Sequence, residues 1–450
     1  MTTPDQVDPV HVRHNDVNVA DVSPVDVILA KRRGEAHDRA TLDAFIGGYQ
    51  RGAVTDYQVA AWLMAVVWRG MSDAETADLT QVMADSGERL DLAGLPHPVD
   101  KHSTGGVGDT TTLVLAPLVA ALGATVAKLS GRGLGHSGGT IDKLESIPGF
   151  GATLSRETFL RQAREVGIAV TGQSADLAPA DGLLYALRDA TGTVESIPLI
   201  ASSIMSKKLA GGAKHLVLDV KSGSGAFMKS DDDARELARA MVRIGQHAGL
   251  SVRAVRSRMD EPLGRAVGHA LEVNEALAVL RGEARGGAQN ALREVVVVLA
   301  FELLESAGLV SLRAEVEAAL DDGRALERFE RWIAAQGGDV SQLDRLEVAA
   351  DRATWTASAS GTLRRIDAER VGVAVSRLGG GRAKKGDAVD LGVGAVLHAR
   401  VGDEVTAGDA IATLYHRGGR GLEGALAALA GAAEVGAPLT PEPVVIEVLR

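Results

Sequence analysis

Two glycine-rich stretches within forty residues carry the side chains best suited to chemistry. They are Lys101-His102-Ser103-Thr104-Gly105-Gly106-Val107-Gly108-Asp109 and Ser130-Gly131-Arg132-Gly133-Leu134-Gly135-His136-Ser137-Gly138-Gly139-Thr140. Glycine lacks a Cβ and is free to take positive φ, so its backbone N–H groups can close around an anion. The hydroxyls of Ser103, Thr104, Ser130 and Thr140 add donors and Lys101 adds positive charge, which together describe a phosphate cradle. Thr110 to Ala116 then reads as the start of an apolar helix running to Gly123, whose unpaired N–H groups would face the same anion. Neither stretch spells the dinucleotide fingerprint or the P-loop. Taken singly, each is also compatible with a tight turn in an α/β protein.

The longer string Asp100 to Asp109, with Ser130 to His136 and Gly138-Gly139-Thr140-Ile141-Asp142-Lys143-Leu144-Glu145-Ser146-Ile147-Pro148, resembles the thymidine and pyrimidine-nucleoside phosphorylases. The resemblance continues through Tyr185 to Asp189, Ser196 to Ile200, Ser206 to Ala210 and Asp219 to Met228, and spans nearly everything after the first twenty residues. It implies reversible phosphorolysis of thymidine, deoxyuridine and, in the broad-range subgroup, uridine, giving free base and a pentose 1-phosphate. Phosphate then attacks the anomeric carbon through an oxocarbenium-like transition state and the pyrimidine leaves as an anion. No protein nucleophile is needed, so positioning and preorganised charge should dominate.

By this resemblance, phosphate contacts fall on Lys101, Ser103, Thr112, Ser130 and Thr140. The enteric thymidine phosphorylases have serine in place of Thr112, and the hydroxyl donor survives. Base recognition falls on Tyr185, Arg188, Ser203 and Lys207, with His102 close to the pyrimidine O2; His102, Arg188 and Lys207 are the expected catalytic groups. On residue type alone, Arg188-Asp189 reads as a solvated helix face and His102 as a structural histidine. His136 is left outside the core site as a residue that orders its own loop. Lys128 resembles the broad-range enzymes, where the thymidine-specific ones have methionine. The pattern of a monovalent-cation site, K⁺ in character, recurs at Gly108, Thr110, Leu263, Ala266 and Glu275. No organic cofactor is expected.

Composition sets the remaining bounds. A chain of 450 residues exceeds what one core serves, so two or three domains are expected. The absence of cysteine excludes thiolate nucleophiles and disulfides and agrees with a reducing, cytoplasmic setting. A net charge of −11 argues against nucleic acid as partner. Asp5, Asp8, His11, Arg13 and Asp16 interrupt the first 22 residues, so no secretory segment is expected, and no apolar run is long enough for a membrane span.

The elements that must position these residues follow from their punctuation. Ser23-Pro24, Thr55 with Gln58 and Ser72 with Glu75 open helices that close near Gly34, Gly70 and Gly87. Pro96-His97-Pro98 then breaks the pattern, making Asp91 to Val99 a hinge candidate. Strand-like runs at 124–129, 216–220 and 252–255 alternate with helices such as the one capped by Ser230, which predicts an α/β layer with a parallel or mixed sheet. The Gly402 to Asp409 segment reads as a barrel-sandwich hairpin. The expected class is α/β: a small discontinuous helical domain, a large α/β domain with a mixed sheet, and a C-terminal α+β domain. The expected boundaries are a flexible tail over 1–21, helices over 22–90 with 182–212 returning to them, the phosphate-binding domain over 91–181 and 213–350, and the C-terminal domain over 351–450. The resemblance implies a homodimer. Strict thymidine phosphorylase, an anthranilate-type phosphoribosyltransferase and a non-catalytic nucleotide sensor are the competing readings.

Overall fold

The computed structural model describes residues 23–450 apart from 134–137, 173–175, 284–286, 383 and 385. The expected tail over 1–21 and His136 lie outside the described residues. Four helices come first: α1 (Pro24–Arg33), α2 (Arg39–Gln50), α3 (Asp56–Arg69) and α4 (Asp73–Asp85). Ser23 accepts from the Asp26 N–H and Pro24 occupies the first turn of α1, while Gly34 closes it at φ 88°. Capping boxes Thr55/Gln58 and Ser72/Glu75 open α3 and α4. Phe45, Trp62, Leu63 and Val66 lock these helices into a core of their own.

The middle of the chain alternates as β1 (Pro98–Ser103), α5 (Thr111–Ala121), β2 (Thr125–Ser130), α6 (Thr140–Leu144), α7 (Arg156–Val166) and β3 (Ile168–Gly172). Then α8 (Pro179–Thr191) and α9 (Ile197–Ala210) return to pack on α3 and α4. The chain re-enters the layer through β4 (His215–Ser222), α10 (Asp231–His247), β5 (Ser251–Arg258), β6 (Ala266–Val267) and helices α11 (His269–Leu280), α12 (Gly287–Ser306), α13 (Arg313–Asp321) and α14 (Arg324–Ala335). Strand order is β5-β4-β1-β2-β3, all parallel, with the last strand of the chain (Val445–Leu449) added antiparallel at the β5 edge. Every residue from Thr111 to Ala120 of α5 is buried, because α12 and α14 pack around it beneath the sheet; a helix apolar on all sides belongs in such a place.

The C-terminal region contains β7 (Asp351–Thr356), β8 (Gly361–Ile366), α15 (Ala368–Val375), β9 (Gly394–Leu397), β10 (Glu404–Val405), β11 (Ala410–His416), α16 (Leu422–Leu429), β12 (Ala433–Gly436) and β13 (Val445–Leu449). Two small sheets, β10-β8-β12 and β6-β9-β11-β7, enclose its core. Two exchanges blur the expected boundary at 351. Strand β6 joins the C-terminal sheet from upstream, and β13 leaves it to pair antiparallel with β5, making the main sheet mixed.

Three chain crossings between the helical lobe and the sheet are stacked on each other. The Glu88 N–H donates to the Asp176 carbonyl at 2.8 Å and the Leu90 N–H to the Ala210 carbonyl at 2.8 Å. A Cβ on Gly87 would lie 2.2 Å from the Asp176 carbonyl oxygen, and one on Gly212 only 2.3 Å from that of Leu90. Only glycine permits backbone to approach backbone so closely, and Gly212 also has φ of +80°.

Candidate active site

A cleft of about 360 Å³ opens where the carboxyl ends of β1 and β2 face α9 of the helical lobe. From β1 the chain proceeds to β2 and β3 on one side and later to β4 and β5 on the other. Such a switch point leaves a crevice that neighbouring connections do not cover, which is where open α/β sheets bind ligands.

Strand alternation sends the side chains of β1 to opposite faces. On one face the Lys101 ammonium lies 3.5 Å from Asp219 of β4 and 3.5 Å from the Thr112 hydroxyl of α5, and it also donates to Thr111. Lys221 completes this buried cluster, 2.9 Å from Asp219. Ser103 donates to Asp109 at 2.6 Å, and Thr111 donates to the other Asp109 oxygen at 2.6 Å. Burial would raise the Asp109 carboxyl, but Lys101, Lys221 and Lys143 outweigh it and hold it well below the usual range.

On the other face, Asp100 receives Lys208 of α9 at 2.7 Å and lies 3.6 Å from Lys128 of β2. Lys128 also donates to the Lys101 carbonyl. Burial, reinforced by Lys208, pushes the Lys128 ammonium down to about 7 despite Asp100. His102 lines the same cleft; burial first, then Lys208, Lys128, Lys101 and Lys207, drives its pKa well below the ordinary value. At neutral pH it is an uncharged imidazole in a field of lysines.

From the helical lobe, Lys207 reaches the cleft, pairs with buried Asp181 and donates to Ser203 at 3.1 Å. Arg188 is placed differently. Its guanidinium donates to the carbonyls of Thr193, Val194 and Leu199 at 3.3, 2.8 and 3.1 Å, stapling the break between α8 and α9. Tyr185 is half exposed, its ring 6.0 Å from that guanidinium. Among the described residues, His102, Ser103, Thr112, Lys128, Ser130, Thr140 and Lys207 line the cleft, whereas Lys101 stands behind its wall and Tyr185, Arg188 and Ser203 stand outside the lining.

The expected cation ligands also converge. A Cβ on Gly108 would sit 3.0 Å from the Ala266 carbonyl oxygen and 3.6 Å from the Leu263 nitrogen. Thr110 donates to the Gly108 carbonyl at 3.3 Å, and Glu275 accepts from the Arg265 and Ala266 N–H groups at 2.6 and 3.1 Å. Burial lifts the Glu275 carboxyl to about 7, outweighing its two backbone donors and the Arg400 charge. Carbonyl oxygens, one hydroxyl and one carboxylate are the donor types that suit a hard cation. Among the described residues no group of three or more His, Cys, Asp or Glu is arranged to hold a metal ion.

Sequence reasoning passed over Asp100 and Lys208 as site groups, and Asp219 and Lys221 as the support of Lys101. The signal available was charge at alternate positions, Asp219 and Lys221, inside an otherwise apolar strand; that places two polar groups on one face where they must pair.

A model of the glycosyl transferase family a/b domain matches residues 95–326, one of that family's helical bundle domain matches 25–87, and one of the pyrimidine nucleoside phosphorylase C-terminal domain matches 362–436. The chain is 51% identical over 399 residues to the pyrimidine-nucleoside phosphorylase of Bacillus subtilis, covering 87% of this chain and 91% of that one. The chain belongs to the pyrimidine-nucleoside phosphorylase family. The enzyme of that name from Geobacillus stearothermophilus is 49% identical over the same shares of the two chains. The fold, at 21% identity and a TM-score of 0.56, is similar to that of anthranilate phosphoribosyltransferase from Thermus thermophilus, over 69% of this chain and 99% of the other. No helix among the described residues is long and apolar enough to cross a membrane.

Proposed function

We propose that the protein is a pyrimidine-nucleoside phosphorylase, which cleaves thymidine, deoxyuridine and uridine with phosphate to free base and pentose 1-phosphate. The observation that carries this reading is the cleft itself. The ammonium groups of Lys101, Lys128, Lys207 and Lys208 act together on the uncharged His102, and the hydroxyls of Ser103, Thr112, Ser130 and Thr140 stand nearby. Such a site favours a dianion, and it is better built for inorganic phosphate than for a neutral nucleophile. The names of the relatives favour pyrimidine nucleosides in general over a strict thymidine phosphorylase.

In this reading Ser103, Thr112, Ser130 and Thr140 hold the phosphate, and Lys101 adds charge from behind. Phosphate oxygen bonds to the anomeric carbon as the glycosidic C–N bond breaks, and the bonding pair leaves with the ring nitrogen. Lys207 and His102 meet the departing pyrimidine, with Tyr185, Ser203 and Arg188 on the helical side. Arg188 uses three of its five N–H donors on carbonyls, and two remain for the base. A monovalent cation at Gly108, Thr110, Leu263, Ala266 and Glu275 would neutralise the Glu275 carboxylate and brace the first glycine loop. The same reading keeps the helical lobe at 22–90 with 182–212 and places the enzyme in the cytoplasm.

Tyr57, Met64 and Trp68 recur along one face of α3, with Tyr57 75% and Trp68 80% exposed. Val25 of α1 and Leu183 of α8 are also exposed. An aromatic face of this extent supports a homodimer formed through the helical lobe. The test of the function is cleavage of thymidine and uridine with and without inorganic phosphate. Free base released at the same rate without phosphate sinks the reading.

A further inference from the structure

The described ends of the second glycine stretch, 131–133 and 138–140, are tied down from a direction the reaction chemistry does not explain. Asp142 of α6 is completely buried and lines no part of the cleft. It nonetheless accepts from the Gly133 N–H at 2.7 Å, from Arg132 at 3.3 Å, and from both terminal nitrogens of Arg382 at 2.9 and 2.7 Å. Arg382 lies in the C-terminal domain, 240 residues away, with its side chain only 10% exposed. One of its nitrogens also donates to the Gly133 carbonyl at 3.2 Å, and Nε donates to the Asp387 carbonyl at 3.0 Å. Both backbone polar groups of Gly133 are therefore engaged by this one buried pair.

Gly133 is also where the two described ends of the stretch meet. A Cβ on Gly139 would lie 2.1 Å from the Gly133 nitrogen, so the two ends of the loop meet backbone to backbone. Gly131, Arg132, Gly133, Gly138, Gly139 and Thr140 all line the cleft. Whatever sets the geometry of Gly133 sets the spacing of the donors around it.

We propose that Arg382 is a positioning residue for phosphate: by clamping Asp142 and Gly133 it holds the Gly133 backbone against Gly139 at the spacing that phosphate binding requires. This rests on the reading of the cleft as a phosphate site. A guanidinium fork suits the task because it meets a carboxylate and a carbonyl in one plane, which an ammonium cannot do. Removing it leaves the buried Asp142 under-compensated and the Gly133 carbonyl without that donor, so the Gly133 backbone loses its fixed position beside Gly139. The pyrimidine side of the cleft, built on α9, is untouched.

The test compares steady-state kinetics of the wild type, Arg382→Ala and Arg382→Lys, varying phosphate at saturating thymidine and thymidine at saturating phosphate. Calorimetric titration with inorganic phosphate alone and melting temperatures accompany them. The KM for phosphate is expected to rise about tenfold or more in Arg382→Ala, because a buried charge pair is broken. The thymidine KM and the kcat at saturating phosphate should stay within about threefold, since no catalytic contact is lost. Arg382→Lys should fall between, and added guanidinium ion should restore phosphate affinity to the alanine variant alone. If the alanine variant does not fold, the lysine variant decides by the same split. A phosphate KM within about twofold of wild type in a folded variant, or equal losses for both substrates, overturns the inference while the phosphorylase reading stands. A wild type that needs no phosphate overturns both.

Discussion

Lys128→Met should change the proton balance of phosphate binding, and the size of the effect can be worked from the burial of Lys128. Its side chain is almost inaccessible and its pKa falls from 10.5 to about 7. That depression corresponds to about 5 kcal/mol of lost stabilisation of the charged form. At pH 7 the free enzyme therefore holds Lys128 roughly half protonated, and at pH 8 it is mostly neutral. A phosphate dianion in the same cleft restores the charge. Wild-type enzyme should then take up about half a proton from Lys128 at pH 7 and close to one at pH 8. Calorimetric phosphate titrations in buffers of different ionisation enthalpy count these protons. Protonation of phosphate itself enters both proteins alike, so the difference between wild type and Lys128→Met isolates the lysine. Stability supplies a second readout. Because the folded pKa is depressed, the unfolded chain binds more protons between about pH 7 and 10.5, and wild-type stability should rise across that window, by about 2 kcal/mol from pH 7 to 9. The methionine variant should lack this increment in urea unfolding. Equal proton uptake by the two proteins, with parallel stability curves, would refute the reasoning.

Lys101→Ala should raise the barrier to phosphorolysis by roughly 2–4 kcal/mol, with the fold intact because Lys221 still partners Asp219; near-normal phosphate kinetics would remove Lys101 from the site. Arg188→Ala and Lys207→Ala should part company. Losing Arg188 removes the three hydrogen bonds that tie the end of α8 to α9, and although the Val194 carbonyl keeps the Ser196 N–H, the melting temperature should fall with the activity. Lys207→Ala should lose kcat/KM for thymidine with the smaller thermal shift, and equal shifts would argue against that division. His269 is buried with its pKa lowered to about 4 from 6.5, so the unfolded chain binds its proton first as pH falls. Its contribution to acid instability should build between pH 6.5 and 4 to about 3 kcal/mol, and urea unfolding of His269→Gln at pH 7 and 4.5 checks for the missing slope. Uridine should be cleaved at a rate comparable with thymidine, and Lys128→Met should shift the kcat/KM ratio toward deoxyribosides; a wild type inert toward uridine would leave a thymidine phosphorylase.

Helix starts and stops are legible in the chain because they are local chemistry. Ser23-Pro24 to Gly34, Thr55/Gln58 and Ser72/Glu75 announce their helices within a few residues, whereas α2, which lies between them, opens on Asp38 with neither a proline nor a capping box and escapes that reading, although Gly52 closes it at φ 75°. Glycine, hydroxyl and lysine in the 101–112 and 130–140 stretches are likewise a local signal, and it is on them that the proposed anion site rests. Tertiary structure decided the rest. It sends Lys208 to Asp100 across 108 residues, Arg382 to Asp142 across 240, and β13 out of the C-terminal domain to the edge of the main sheet. It also turns Arg188 toward carbonyls and makes His102 neutral. The physical reason is that periodicity and capping depend on neighbours along the backbone. Charge pairing and protonation depend on which groups burial brings together in a low dielectric, and that is set only when the lobes pack.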